Sequence, residues 1–324
     1  MSLALPRSAA PGPAGVSDAL RRAVYLAQRA ARRRLPVLLV GETGTGKECL
    51  ARLVHGASGR RGRFVDVNCG ALPRELVEGL CFGHERGAFS GAHASREGYL
   101  REAHGGTLFL DELSSLPIAA QPVLLRALEL GEVRRVGAAR AESFDAQLVA
   151  ALHDHPDVAI ASGRLRSDLA YRLCGILIQL PPLRERMDDV IPIARQMAGE
   201  LGLSIAADAL PVLLGHDWPG NARELRQILL RASVLVEDSD AVDAAALNEA
   251  LALGVTTAVP SAGEIVGTHD EHHAEMRSRV KAALREASGR AVLAARILGV
   301  SRATMYRWCQ RYGLGRYAAG APWP

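Results

Sequence analysis

A glycine-rich stretch early in the chain has the residue types that hold phosphate groups. Residues 41–47 read Gly-Glu-Thr-Gly-Thr-Gly-Lys and match the first seven positions of the pattern G-x-x-x-x-G-K-S/T. Glycines let backbone N–H groups approach phosphate oxygens, and the Lys47 amine adds positive charge beside the β- and γ-phosphates. A glycine-rich turn without a ligand is the alternative. We predict a nucleotide site formed by Gly41, Glu42, Thr43, Gly44, Thr45, Gly46, Lys47 and Glu48, with Glu48 replacing the usual hydroxyl residue.

Two carboxylates follow an apolar run further along the chain. Residues 107–110 read as a buried strand, and Asp111 and Glu112 come directly after it. In such a position one carboxylate holds Mg²⁺ and the other polarises the attacking water. Solvated acids also end ordinary strands, but the position 64 residues after Lys47 favours catalysis. We predict ATP hydrolysis, with Asp111 at the magnesium ion and Glu112 activating water.

The elements that must position these residues alternate between strands and helices. Short apolar runs predict strands at 35–40, 64–68, 107–110, 147–151 and 175–180, with helical stretches between them. This alternation predicts an α/β fold with a parallel sheet. A helix over 16–34 with Ser17 as its N-cap precedes the first strand, and residues 186–253 read as helical throughout. We expect residues 1–15, rich in Pro, Gly and Ala, to be disordered, and residues 254–270 to be a linker.

Composition excludes several classes of protein. Hydrophobic residues make up 48% of the 324 residues and charged residues 23%, as in globular proteins. No apolar run approaches the ~18 residues that cross a bilayer, and no signal peptide is evident, so we expect a cytoplasmic protein without membrane contact. The five cysteines are scattered without a Cys-x-x-Cys pair, which predicts buried free thiols rather than disulfides or zinc.

Positive charge is concentrated near the carboxyl end. Residues 275–316 contain ten Arg or Lys and two Glu, a net charge of +8, so the rest carries −4 of the overall +4. Three helices are predicted over 271–316, the last capped by Ser301, and residues 317–324 form a tail. Such a basic helical unit binds double-stranded DNA or, alternatively, docks on an acidic protein. With its turn at Gly299-Val300, this unit resembles a helix-turn-helix of the Fis type, and the resemblance implies that Ser301, Arg302, Ala303, Thr304 and Arg307 read base edges.

Residues 82–92 read Phe-Gly-His-Glu-Arg-Gly-Ala-Phe-Ser-Gly-Ala. This segment closely resembles the GAFTGA loop of the sigma-54-dependent activators, the bacterial enhancer-binding proteins of the AAA+ class. The resemblance implies that ATP turnover drives this loop against the sigma-54 RNA polymerase holoenzyme. The implied contact residues are Gly87, Ala88, Phe89, Ser90, Gly91 and Ala92. A surface loop with an incidental phenylalanine is the alternative.

Further segments extend the resemblance over residues 17–253. Arg166 and Arg172 align with the family's arginine fingers, which reach the nucleotide of a neighbouring subunit, and their six-residue separation places both on one helix. Residues 181–186 resemble the family's junction into the lid, and residues 218–225 resemble its sensor II, with Arg223 facing the nucleotide. Asn68 falls where the family has the polar residue that restrains the catalytic glutamate, and the family's own glycine-rich loop commonly ends in Lys-Glu. The resemblance implies an ATPase core over 16–182, a helical lid over 183–253 and a Fis-type helix-turn-helix over 271–316.

The resemblance also implies an assembly. Members of the family form rings, so we expect a homo-oligomer, a hexamer, bound to an enhancer-like palindrome. Only about 16 residues precede the first predicted helix, which resembles activators that lack a sensory domain and are restrained by a negative regulator in trans.

Several positions depart from the family pattern. Ser90 stands where the loop has threonine, Leu80-Cys81 where Glu-Leu is usual, Leu152-His153 where sensor I reads Thr-Asn, and Gln147 where arginine is usual. These departures motivate a second hypothesis, a DNA-binding regulator with a degenerate ATPase that acts independently of sigma-54. A helicase loader or chaperone of the AAA+ class is a third option, disfavoured by the Phe89 loop.

Overall fold

The computed structural model describes residues 14–73, 75–88, 92–236, 240–253, 269–287 and 290–298, with residues 305, 308, 309 and 314. The chain divides into two compact units, residues 1–255 and 256–324.

A five-stranded parallel sheet forms the centre of the first unit. Its strands are β1 (Val37–Val40), β2 (Phe64–Asn68), β3 (Thr107–Asp111), β4 (Gln147–Leu152) and β5 (Ile176–Gln179). They lie in the order β2-β3-β4-β1-β5 across the sheet. The predicted parallel sheet is thus confirmed, with its strand ends shifted by one or two residues. The first strand begins two residues later than expected because Pro36 has no N–H to donate to a neighbouring strand.

Helices cover both faces of the sheet, which explains why the central strands β1, β3 and β4 are largely apolar. The edge strand β2 instead alternates, with Asp66 and Asn68 exposed. Along β1, Leu38 and Val40 face one core, and Val37 and Leu39 face the other. The helices are α1 (Asp18–Arg32), α2 (Lys47–Ala57), α3 (Val77–Cys81), α4 (Tyr99–Glu102), α5 (Gln121–Leu130), α6 (Pro156–Ala161) and α7 (Ser167–Leu173). Ser17 caps α1, as predicted, by accepting a hydrogen bond from the Leu20 N–H. Antiparallel pairs join Gly83–His84 to Arg96–Glu97 and Glu132–Val133 to Glu142–Ser143.

Phe109 lies at the centre of β3, fully buried and stacked on Phe64 with ring centroids 6.0 Å apart. Replacing Phe109 with alanine should lower the free energy of unfolding by ~3–5 kcal/mol, since a buried aromatic ring leaves a cavity. Val234→Ala is the control, because that side chain is 83% exposed. Urea denaturation followed by circular dichroism measures both variants, and equal effects would contradict this packing.

A helical lid follows the sheet. It contains α8 (Val190–Glu200), α9 (Leu210–Gly215), α10 (Asn221–Leu235) and α11 (Ala244–Ala252). Trp218 is fully buried at its centre and donates its indole N–H to the Leu213 carbonyl at 2.9 Å. The prediction that residues 186–253 are helical throughout was wrong in one respect. Residues 204–205 and 241–242 form a short parallel pair, since the Ser204 N–H bonds the Asp240 carbonyl.

The amino-terminal prediction needs a correction. Residues 1–13 lie outside the described part, but Ala14 packs against the lid core rather than being disordered. The backbone N–H groups of Val16 and Ser17 each donate to Asp189 at 2.6 Å, which holds this segment on the lid.

The second unit contains α12 (His269–Glu286) and α13 (Ala291–Ile297). The first helix begins two residues inside the predicted linker, and residues 254–268 lie outside the described part. Val280, Ala283, Leu284 and Ala287 are all buried against α13 and Met305. Trp308 also packs on this core.

In the described residues, no helix combines the length and apolar character needed to cross a bilayer. All five cysteines are described and are free thiols, as predicted.

Candidate functional site

The predicted phosphate loop joins β1 to α2. Helix α2 begins at Lys47, and its N-cap Gly46 has a φ of 102°, a left-handed conformation that favours glycine. Gly44 is needed for a different reason: a Cβ there would lie 2.4 Å from the Gly220 carbonyl oxygen. The loop therefore presents the amino end of a helix at its centre, as an anion site requires.

Lys47 extends back over this loop. Its Nζ donates to the carbonyl oxygens of Gly41 at 2.6 Å and Glu42 at 3.0 Å. Burial holds the pKa of the Lys47 amine below its usual value, and Asp111 acts against this shift. A partly buried amine bonded only to neutral carbonyl oxygens is available for an anionic partner with greater charge.

Asp111 and Glu112 meet the same edge of the sheet. Asp111 is the last residue of β3, opposite Asn68 at the end of β2. Glu112 adopts a left-handed conformation with a φ of 52°, and its N–H donates to Asp111 Oδ1 at 2.9 Å. The strand therefore ends at Asp111, and the exposed Glu112 side chain does not continue its direction. The Asp111 carboxylate thus belongs to the strand, and the Glu112 carboxylate lies just beyond its end.

The resemblance implies a magnesium ion, and Asp111 suits one. Mg²⁺ is bound in nucleotide enzymes by one or two carboxylates together with phosphate oxygens and water. The described residues contain no group of three or more potential metal ligands. Glu48 is directed elsewhere: its carboxylate pairs with Arg52 at 2.7 Å.

Asn68 has a local structural role. Its Oδ1 accepts hydrogen bonds from the N–H groups of Gly70 at 2.8 Å and Ala71 at 3.1 Å. A Cβ on Gly70 would lie 2.4 Å from Glu112 Oε2, so the turn that Asn68 caps contacts the Glu112 carboxylate. Asn68 thus shapes the surface beside Glu112, and its predicted restraint of that glutamate stays a prediction.

The lid supplies residues that the sequence reasoning did not assign to the site. Arg184 forms a two-pronged ion pair with Glu42, at 2.8 and 2.5 Å. Asn221 donates its side-chain amide to the Thr43 carbonyl at 3.0 Å, and Arg186 donates to the Thr45 carbonyl at 2.5 Å. The segments that contain them, 181–186 and 218–225, had been noted only as the lid junction and sensor II.

Arg223 lies beside the phosphate loop. A Cβ added to Gly44 would lie 3.0 Å from the Arg223 Cβ. The charge of Arg223 contributes to lowering the pKa of Lys47. The described site therefore brings together Lys47, Asp111, Glu112 and Arg223 around one end of the sheet.

Comparison with known proteins decides the family. A model described as the Sigma-54 interaction domain matches residues 14–179, slightly more than half of the chain, and one described as the AAA+ ATPase lid domain matches residues 184–262. The chain belongs to the sigma-54 interaction domain family.

Individual relatives agree. The hydrogenase transcriptional regulatory protein HoxA of Cupriavidus necator is 48% identical over 65% of this chain and 45% of its own length. The sigma54-dependent transcriptional activator SfnR of Pseudomonas putida is 45% identical over 62% of this chain and 57% of its own. The crystal structure of NtrX from Brucella abortus in complex with ADP has a TM-score of 0.67 and 28% identity, covering 92% of this chain and 69% of NtrX.

The chain spans about half the length of the curated relatives it matches. The AAA+ fold with a parallel sheet and a helical lid, predicted from the resemblance, is confirmed.

The two arginines that resemble the family's arginine fingers differ in position. We expected both on one helix, but Arg166 precedes α7 as its N-cap residue, and Arg172 lies in its last turn. Arg166 forms a two-pronged pair with Asp168, at 2.8 and 3.1 Å. Arg172 donates to the Leu128 carbonyl at 2.6 Å. Within the part that the structure describes, neither arginine forms a hydrogen bond or ion pair with the phosphate loop of its own chain.

The loop that resembles GAFTGA is described only at its base. The Gly87 N–H donates to the Ala92 carbonyl at 2.8 Å, and the Ala88 N–H to the Glu85 carbonyl at 3.2 Å. Phe89, Ser90 and Gly91 lie outside the described residues. Leu80 and Cys81, which depart from the family pattern, belong to the short helix α3 before the loop. In this member of the sigma-54 interaction domain family the loop base is therefore closed by backbone hydrogen bonds.

His153 follows β4, next to the phosphate loop, since the Gly41 N–H donates to the Leu152 carbonyl at 3.2 Å. Its Nδ1 lies 2.9 Å from Asp154 Oδ1, and this bond holds the pKa of Asp154 below its usual value. The imidazole is thus engaged by a carboxylate, through Nδ1, at the position where the resemblance implies an asparagine. Gln147 is buried and donates to the Leu35 carbonyl at 2.6 Å.

The Glu42–Arg184 pair makes stability depend on pH. The Arg184 hydrogen bonds hold the pKa of Glu42 below its ordinary 4.5. A carboxylate with a lowered pKa in the folded state stabilises the protein above pH 4.5, and this contribution is lost as pH falls through the lowered value. We expect Glu42→Gln to lower the melting temperature at pH 7, and to lower it by progressively less as the pH falls from 4.5 towards 3. A difference in melting temperature between the parent and Glu42→Gln that stays constant over this pH range would contradict the ion pair.

Proposed function

We propose that the chain is an ATP-hydrolysing transcription activator that remodels the sigma-54 RNA polymerase holoenzyme. The observation that carries this proposal is the convergence of Lys47, Asp111, Glu112 and Arg223 at one end of the sheet, in a chain of the sigma-54 interaction domain family. The NtrX structures in complex with ADP and with ATP support a nucleotide as the ligand.

Each residue has a role that its geometry supports. The Lys47 amine leaves the Gly41 and Glu42 carbonyl oxygens and binds the β- and γ-phosphates. Asp111 would hold Mg²⁺, which neutralises phosphate charge when bound. Glu112 orients the attacking water and accepts its proton. Arg166 and Arg172 stabilise negative charge at the nucleotide of a neighbouring subunit, which requires a homo-oligomeric ring, a hexamer by the family resemblance.

DNA recognition is proposed for the second unit. Its core joins α12, α13 and residues 305, 308, 309 and 314, and Arg277, Lys281, Arg285 and Arg290 lie on its exposed surface. The base-reading residues Ser301, Arg302, Ala303, Thr304 and Arg307 lie outside the described residues. Because phosphate contacts release counterions, affinity for a palindromic duplex should fall steeply with salt. Affinity that is independent of salt would favour the docking domain.

In vitro transcription with purified sigma-54 holoenzyme tests the proposed activity. The full chain, a promoter with upstream palindromes, and either ATP or a non-hydrolysable analogue are the components. Transcript that forms with ATP and not with the analogue supports the proposal. Equal transcript in both conditions would contradict it.

One observation favours the alternative of a degenerate ATPase that acts independently of sigma-54. The His153 imidazole is bonded to Asp154 through Nδ1, at the position where the family resemblance implies an asparagine. In that case nucleotide binds without turnover, and the chain represses or activates a different holoenzyme. Steady-state phosphate release by the purified chain distinguishes the two.

A further inference from the structure

The phosphate loop is bonded to the lid through the side chain of Glu42. Arg184 donates from Nη1 to Oε2 at 2.8 Å and from Nη2 to Oε1 at 2.5 Å. The two residues are separated by 142 positions in the chain, and both side chains are more than half buried in this contact. Two parallel bonds between a guanidinium and a carboxylate fix orientation as well as distance.

Asn221 adds a second link. It is fully buried at the start of α10, where its φ of 53° is unusual for a residue other than glycine. Its Nδ2 donates to Glu42 Oε2 at 3.2 Å and to the Thr43 carbonyl at 3.0 Å, and its Oδ1 accepts from the Leu183 N–H at 2.6 Å. One side chain thus connects the loop, the junction into the lid, and the first turn of a lid helix.

Arg186 provides a third link. It is buried, donates from Nη2 to the Thr45 carbonyl at 2.5 Å, and lies 3.5 Å from Asp189 through Nη1. Asp189 in turn accepts from the Ser17 hydroxyl at 2.7 Å. The loop residues 42, 43 and 45 are therefore all held by side chains of the lid.

Lys47 also bonds the phosphate loop, because its Nζ donates to the backbone carbonyl of Glu42. A phosphate that attracts the Lys47 amine removes this bond, and the orientation of Glu42 then depends on Arg184 and Asn221. The position of the lid and the occupancy of the phosphate loop consequently affect each other.

We propose that Glu42, Arg184 and Asn221 are positioning residues that transmit nucleotide occupancy from the phosphate loop to the lid. This inference rests on the proposed function, since it takes a nucleotide as the ligand. The Glu42 carboxylate thus contacts the lid and not the nucleotide. The link is local, between two parts of one compact unit.

Trp218 supplies a readout inside the lid. It is fully buried, and its carbonyl accepts a hydrogen bond from the Asn221 N–H at 2.8 Å. The other two tryptophans, Trp308 and Trp323, are replaced by phenylalanine in the full chain, so that Trp218 alone fluoresces. ADP is the probe, and its binding is measured separately by equilibrium dialysis.

In this parent, ADP binding should change the Trp218 fluorescence. Glu42→Gln and Arg184→Met should each raise the ADP dissociation constant about tenfold and abolish the fluorescence change at saturating ADP. The double variant should be no worse than either single variant, since coupled residues lose one shared interaction. Glu42→Asp, which keeps the carboxylate, should retain part of the response. If Glu42→Gln does not fold, Arg184→Met decides.

Arg60→Met is the matched control. Arg60 forms a similar two-pronged pair with Asp145, at 2.7 and 3.1 Å, between loops that precede β2 and β4. It should leave both ADP affinity and the Trp218 response unchanged. A parent that binds ADP without a Trp218 response, a full response in Glu42→Gln, or additive effects in the double variant would overturn the inference alone. A parent that does not bind ADP would overturn the proposed ATPase as well.

Discussion

Replacing Glu112 with alanine should lower the rate of ATP hydrolysis by a factor of about 10²–10⁴, the range typical for loss of a general base. Nucleotide affinity should change little, because the affinity comes from the loop around Lys47 and not from Glu112. The Glu112 side chain is exposed. The backbone N–H of Glu112 donates to Asp111 Oδ1, and alanine preserves this hydrogen bond because it keeps the N–H. Phosphate release measures turnover, and equilibrium dialysis with ATP measures binding.

Two comparisons make this result specific. Lys47→Ala should lose nucleotide affinity itself, since the amine is the charge within the loop. Glu129→Ala removes an exposed carboxylate from α5 and should leave both affinity and turnover unchanged. Hydrolysis that continues undiminished in Glu112→Ala would contradict the assignment of the base and favour the degenerate site.

Much of the first unit could be predicted because its three central strands are largely apolar on both faces. The run Val37–Val40 and its neighbours had no competing helical pattern, and glycine or proline marked their ends. The glycines of the phosphate loop were equally informative, since close backbone approach and a positive φ leave few other residue types. Charge and turn residues likewise indicated the helices of the second unit.

The contacts between distant segments could not be predicted. Nothing in the local pattern around Glu42 indicates that its partner is Arg184, because the pair forms only when the lid folds over β1 and α2. The N-cap position of Arg166 was missed for a related reason: α7 begins one residue later, and its start depends on the bond from the Arg166 N–H to Gln121. The short parallel pair in the lid is too brief to have a periodic pattern.

Arg166 and Arg172 should act across a subunit boundary. Removing both guanidinium groups, in an Arg166→Ala and Arg172→Ala double variant, should lower hydrolysis by a factor of ~10³–10⁵, the range known for arginine fingers. The Arg172 side chain also bonds the Leu128 carbonyl, a contact whose loss costs only ~1 kcal/mol of stability. Circular dichroism of the double variant should therefore match that of the parent, and phosphate release should not.

Mixing distinguishes action in trans from action within one chain. The double variant has an intact phosphate loop, and Lys47→Ala has intact arginines, so each is inactive alone. In a ring with head-to-tail contacts, equal mixing pairs an intact loop with intact arginines at roughly a quarter of the boundaries, and hydrolysis should return to that fraction. If the arginines served their own chain, no mixture would contain a complete site, and the activity of the mixture would stay at the level of the two variants. Because Arg166 pairs with Asp168 in the isolated chain, recovery would also mean that assembly exchanges this carboxylate for a phosphate as the partner of the guanidinium.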